Sequence, residues 1–405
     1  MANKLSKVNK RQAWIVLALI AVLALIAYFA HGKLSRGSHE SYAAAVKLIQ
    51  PGQYRFKTRG TNPMGIVVTM DNKNLLLGTL EFIEIYTLPD LEFVKARPHT
   101  FTSGPCLSVS PDGTKLAAGI NGKMNLYDLQ KVVDQNWNEP MTKAEVWTHS
   151  IYPPELMGEI SGSTFFSAFS PDGKTLVGAH ENSADKPDNT HWVYVLDVAT
   201  GKLKGSIHTG IGSTVGIKFL TPTLVAYAKE TDKYAPQAAG STIFSWQGSV
   251  QVADITTFQR IRSAGVGIQP VRLDHLPGAP HVYVSVRGPT VAPYKGEVAV
   301  VSAEYLINGT GPSIVKIIPN MGPSTVGVGI SVASGPKLVV TASNRWVNNS
   351  KGSIHIVDPE SGNILKTLKG DGFPRDVIIN QHNLNMAFVG NFWGNSIDVL
   401  DLSVL

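Results

Sequence analysis

The densest supply of reactive side chains lies in one stretch, His180-Glu181-Asn182-Ser183-Ala184-Asp185-Lys186-Pro187-Asp188-Asn189-Thr190-His191. Imidazoles and carboxylates are the groups that hold a divalent cation or exchange protons near neutral pH, which makes His180, Glu181 and His191 the candidate metal ligands. Their spacing is not that of a helical His-Glu-x-x-His site, so a solvated polar loop is the plainer reading. A second group is aromatic. Asn344-Arg345-Trp346 and Asn391-Phe392-Trp393 set Arg345, Trp346, Asn391 and Trp393 on two turns, where an indole can serve as a flat binding platform or pack loop against loop. A third group, Arg272 with Asp274 and His275, and Arg375 with Asp376, follows two Gly-x-Pro or Gly-x-x-Pro turns and is expected to point into a central channel. Such groups bind a ligand or simply hold water.

Nothing else in the chain carries chemistry. There is no P-loop, no Gly-x-Gly-x-x-Gly after a strand, no Gly-x-Ser-x-Gly elbow and no haem-attachment motif, so no cofactor is required. The single cysteine, Cys106, excludes an intrachain disulfide and a Cys-x-x-Cys metal site, and in Cys106-Leu107-Ser108-Val109 it reads as a small buried hydrophobe.

The elements that must position these groups are short strands. Ser-Pro-Asp-Gly occurs at Ser110–Gly113 and again at Ser170–Gly173, each time after a β-rich run and before another. Pro presets φ, Asp caps its own turn and Gly accepts positive φ, so two such turns at matching places mark a repeat. With 38 Gly, 24 Pro and only 16% charged residues, the composition suits many turns. Successive groups of four β-rich runs divide the chain from Gly65 to Leu368 into six units. The last unit, from Gly372 to Leu405, has only three runs. The missing strand is expected upstream, at Tyr54-Arg55-Phe56-Lys57-Thr58, which would close a ring and leave no open joint. The expected fold is all-β: a seven-bladed β-propeller in which an N-terminal strand closes the last blade.

Gly372-Phe373-Pro374-Arg375-Asp376-Val377, followed by Ala387-Phe388-Val389-Gly390-Asn391 and Asn395-Ser396-Ile397-Asp398-Val399-Leu400-Asp401, resembles the YVTN-type β-propeller repeats of extracytoplasmic proteins. The middle tetrad reads Phe-Val-Gly-Asn where that family has Tyr-Val-Thr-Asn. The pattern is also similar to the propellers of amine dehydrogenase large subunits and of lactonase-type enzymes. The resemblance implies the ring and leaves activity open, because one scaffold hosts enzymes and binding proteins alike.

Ala13 to Ala30 has no charge, Gly or Pro and as a helix would span roughly 27 Å, so a single transmembrane helix is expected ahead of the propeller. Tyr28 stands where a cleavage site wants a small residue, which favours an uncleaved anchor over a secretory signal. Lys4, Lys7, Lys10 and Arg11 precede the run, account for most of the net charge of +6 and keep the N-terminus cytoplasmic. The rest of the chain shows no basic run with interleaved aromatics, so nucleic acid is not an expected partner. The expected organisation is a basic tail at 1–12, an anchor at 13–30, a linker at 31–53 and the propeller at 54–405. Sequons at Asn308 and Asn348 matter only in a eukaryotic host.

In a propeller the loops between second and third strands share one face. Here they are long at His180 to His191, Lys229 to Gly248, Arg287 to Gly296 and Asn344 to Gly352, which makes that face the expected binding surface. Two functions follow: a membrane-tethered scaffold that binds a protein or small ligand there, or a propeller enzyme, either a lactonase-like hydrolase or the subunit of a quinone-dependent dehydrogenase.

Overall fold

Runs of four to six residues rich in Val, Ile and Leu, bounded by Gly, Pro, Asn and Asp, are too short for helices and apolar on both faces. They therefore stack as buried strands of small sheets. A computed structural model of the chain describes residues 46–99, 105–120, 123–150, 165–180, 190–230, 247–289, 295–343 and 351–405. The strands form six four-stranded antiparallel sheets and one of five strands, a seven-bladed β-propeller. The innermost strands, one per blade, are Gly65–Val68, Cys106–Val109, Phe165–Phe169, Thr214–Phe219, Pro270–Asp274, Thr325–Ser331 and Pro374–Ile379. Cys106 is buried on the second of these, as the sequence implies.

The two Ser-Pro-Asp-Gly turns are chemically identical. The Ser170 hydroxyl donates to Asp172 at 2.6 Å, the Lys174 amide donates to the same carboxylate at 3.0 Å, and Gly173 has φ of +70°. Ser110, Asp112, Thr114 and Gly113 repeat each contact.

Blade seven is built from both ends of the propeller sequence. Gln53–Lys57 lies antiparallel to Ser396–Asp401, pairing Phe56 with Ile397 and Tyr54 with Val399. Phe56 faces inward and is packed with Ile66, Tyr86 and Phe388, which ties blade seven to blade one; its ring lies 4.9 Å from that of Tyr86. The expected closure is present, with one addition. Lys47–Gln50, assigned by sequence to the linker, forms a fifth strand on the outside of Gln53–Lys57, joined by a turn in which Gly52 has φ of +82°. Lys47 to Gln50 thus belong to the sheet rather than to the linker.

The segment that follows the closing strand is pinned by buried acid. Glu84 accepts from the amides of Arg59 and Gly60 and from the Tyr86 hydroxyl. In blade one the outer strand runs from Phe93 to Pro98, and Leu91 ahead of it takes φ of +58° and buries its side chain in the turn.

No helix among the described residues is long and apolar enough to cross a membrane. The apolar run 13–30 lies outside the described residues.

Candidate functional site

Close approach of neighbouring innermost strands sets the width of the channel. Gly216 has φ of +60°, and a Cβ there would lie 3.2 Å from the Arg272 Cα; a Cβ on Gly327 would lie 2.5 Å from the Arg375 carbonyl oxygen. Both positions therefore bring an arginine-bearing strand inward.

Arg272 crosses the channel. Its Nε and Nη2 donate to Asp376 Oδ1 at 3.0 and 2.7 Å, so a guanidinium from blade five reaches a carboxylate on blade seven. The same guanidinium carbon lies 3.9 Å from the ring centroid of Phe166 on blade three, a desolvated cation–π geometry. Beside it Lys218 meets Asp274 at 2.9 Å, and the charge of Asp274 holds the ammonium above its ordinary pKa. The other oxygen of Asp274 accepts from the Ile330 amide at 2.9 Å. Arg272, Asp274 and Asp376 therefore point into the channel as expected, where they bridge blades.

Arg375 precedes Asp376 near the start of the same strand and lies at the channel mouth. It stands 5.6 Å from the Phe392 ring, and its Nη1 contacts Met64 Sδ at 3.1 Å. Next to it Phe373 and Trp393 stack with centroids 4.8 Å apart, and Phe392 completes an aromatic trio. The trio is held by backbone. The Phe392 amide donates to the Phe373 carbonyl at 2.7 Å, and Gly372 turns the chain with φ of +80°. Trp393 remains 40% exposed, a large apolar surface on a fixed turn. Lys57 and Lys351 flank it, both ion-paired to the single carboxylate of Asp371 at 2.7 and 3.0 Å. Burial opposes ionisation of Asp371, yet its hydrogen bonds from Lys57 and Lys351 bring its pKa down to about 2.

Two expected ligand residues have other work. Asn391 is fully buried; its Oδ1 accepts from the Asp371 amide and its Nδ2 donates to Asp398 at 2.7 Å. His275 lies beyond the far end of its innermost strand, at the opposite mouth from Arg375, and its Nδ1 donates to the His281 carbonyl at 3.0 Å. Glu181, Arg345 and Trp346 lie outside the described residues, as do the side chains of His180 and His191. Among the described residues no group of three or more His, Cys, Asp or Glu side chains converges as a metal site.

The sequence reading missed Asp398, Asp371 and Phe373. Asp398, fully buried, accepts from Arg55 at 2.8 and 3.0 Å, from Gln53 at 3.0 Å and from Asn391, knitting the closing strand to blade seven. The available signal was an Asp at an inward position of a strand otherwise apolar, opposite an Arg.

No family model matches the chain, and no curated protein matches it. Solved structures do: 1361 chains match, so the architecture is shared too widely to indicate one activity. One of them is hydrazine synthase from Kuenenia stuttgartiensis, 14% identical, aligned over 91% of this chain and 99% of that one with a TM-score of 0.60. At that identity the likeness establishes the fold, a β-propeller, and nothing narrower.

Proposed function

We propose that the chain is a membrane-tethered propeller, held outside the cytoplasm, that binds a protein or small-molecule partner on the face carrying Phe373, Arg375 and Trp393. The observation that carries this reading is the stacked, half-exposed pair of Phe373 and Trp393 beside a guanidinium, on a turn fixed by backbone hydrogen bonds. Exposed aromatics next to arginine are the side chains from which binding hot spots are made. Beneath them Arg272 and Asp376 bridge the channel, which favours recognition at the mouth over passage through the ring. Support for the tether is the uncharged run 13–30 behind a basic tail.

The test uses the full chain in its native membrane, with a photo-crosslinking amino acid at position 393 or, as control, at exposed Val146 on an outer strand. A discrete adduct from position 393 that disappears with Arg375→Ala or Phe373→Ala, and no adduct from 146, is the expected result. Equal adducts from both positions overturn the assignment of the face. Protease added outside sealed cells should digest the propeller; protection there overturns the topology.

The enzyme reading draws on the family resemblance and on the stretch from His180 to His191. Stoichiometric metal in purified protein, lost in His191→Ala, would favour it.

A further inference from the structure

Among the described residues, five of the fourteen exposed large hydrophobic side chains belong to one place, the outer edge of blade seven: Val46, Leu48, Ile49, Tyr54 and Val404. Leu48 and Tyr54 are cross-strand partners, so they form one continuous apolar surface, 57% and 39% exposed. Val404 adjoins the hairpin turn, where a Cβ on Gly52 would touch it. Lys47 stands on the same strand, opposite Arg55. Among the described residues no strand pairs with the outer side of Lys47–Gln50. An open edge lined with Leu and Tyr is normally blunted or covered.

We infer that this edge seats on the surface of a lipid bilayer. The inference rests on the tether proposed above and adds an orientation to it. Fifteen residues lie between Ala30 and Val46 in the sequence, a stretch that reaches at most ~55 Å, so the tether joins the propeller at this edge and leaves it within reach of the bilayer. The side chains found there are those of an interfacial surface: branched aliphatics to enter the headgroup–acyl boundary, a tyrosine whose hydroxyl stays at headgroup level, and a lysine for lipid phosphate. A second copy of the chain, pairing edge to edge, is the competing occupant.

The experiment places an environment-sensitive fluorophore on Leu48→Cys or on Ile261→Cys in a Cys106→Ala background, in the full chain reconstituted into nanodiscs of phosphatidylcholine and phosphatidylglycerol. Ile261 is also exposed but lies on the outer strand of blade four, across the ring. The expected result is a blue shift and roughly twofold or greater quenching by doxyl lipids at position 48, as burial ~5–10 Å into the boundary requires, with neither effect at 261. A chain that inserts while the probe at 48 stays in water overturns this inference and leaves the tether standing. A chain that does not insert at all overturns both. A blue shift at 48 without lipid quenching, in discs holding two copies, assigns the edge to a dimer and overturns the lipid.

Discussion

Arg272 Nη2 lies 2.7 Å from Asp376 Oδ1, although the residues are 104 positions apart and belong to blades five and seven. The pair fixes the width of the ring from inside and uses Phe166 of blade three as its floor. Both side chains are nearly buried, so removing one leaves the other poorly solvated. Arg272→Ala is expected to cost about 3 kcal/mol by urea unfolding, whereas Arg272→Met with Asp376→Leu should recover most of that. A single-variant cost below about 1 kcal/mol would show that channel water screens the pair as it screens surface pairs.

Closing the ring depends on Arg55 against Asp398. Burial raises the pKa of Asp398 despite its hydrogen bonds from Arg55, Asn391 and Gln53. An acid whose folded pKa is raised binds more protons in the folded state, so its contribution to stability falls as pH rises from the unfolded value of about 3.9 through the folded one. Arg55→Ala removes the main compensating charge. The expected loss is about 3–5 kcal/mol at pH 7, with the deficit relative to the parent shrinking as pH falls toward 4. A deficit independent of pH would assign the loss to packing rather than to charge.

Asp371 has the opposite sign. Its folded pKa of about 2 lies below the unfolded value, so the stability it contributes is complete above pH ~4 and is lost as pH falls from there toward 2. Asp371→Asn should flatten that part of the acid-unfolding curve. An unchanged acid limb would mean that Lys57 and Lys351 are solvated rather than paired.

Unequal burial along the closing strand gives a paired prediction. Phe56, packed against blade one, is 1% exposed, whereas Tyr54, two residues earlier on the same face, is 39% exposed. Phe56→Ala should cost about 3–5 kcal/mol, and Tyr54→Ala within about 0.5 kcal/mol, both read from denaturant midpoints. Similar costs at the two positions would contradict the packing of Phe56 against blade one and the exposure of Tyr54.

Trp393→Ala should separate binding from folding. The indole is exposed and stacked on one ring, so stability should change by less than about 1 kcal/mol, while affinity for the adduct partner falls about tenfold or more. Trp393→Phe should retain part of the affinity, and unchanged binding in the alanine variant would remove Trp393 from the site.

The blades were legible because each is local: apolar alternation and Ser-Pro-Asp-Gly turns act within a few dozen residues, and Ser110 and Ser170 make the contacts their motifs imply. The closing strand was legible for a different reason, the absence of a fourth run after Ser396–Asp401. Lys47–Gln50 was not, since four residues exposed on both faces carry no apolar alternation to distinguish a strand from a linker. The site was harder still. Asn391 shares its turn with Trp393, but the pleat sends it inward to Asp398. The partnership of Arg272 with Asp376 depends on how many blades stand between them, a property of the whole ring that no window of sequence contains.

The pairing of Gln53–Lys57 with Ser396–Asp401 also sets a schedule. The first partner leaves the ribosome more than three hundred residues before the second. At ~5–20 residues per second the edge of Gln53–Lys57 that pairs with Ser396–Asp401 stays unpaired for roughly 20–70 s. Throughout that interval blades can form and pack on their neighbours but the ring cannot close, and Ser396–Asp401 is the strand that closes it.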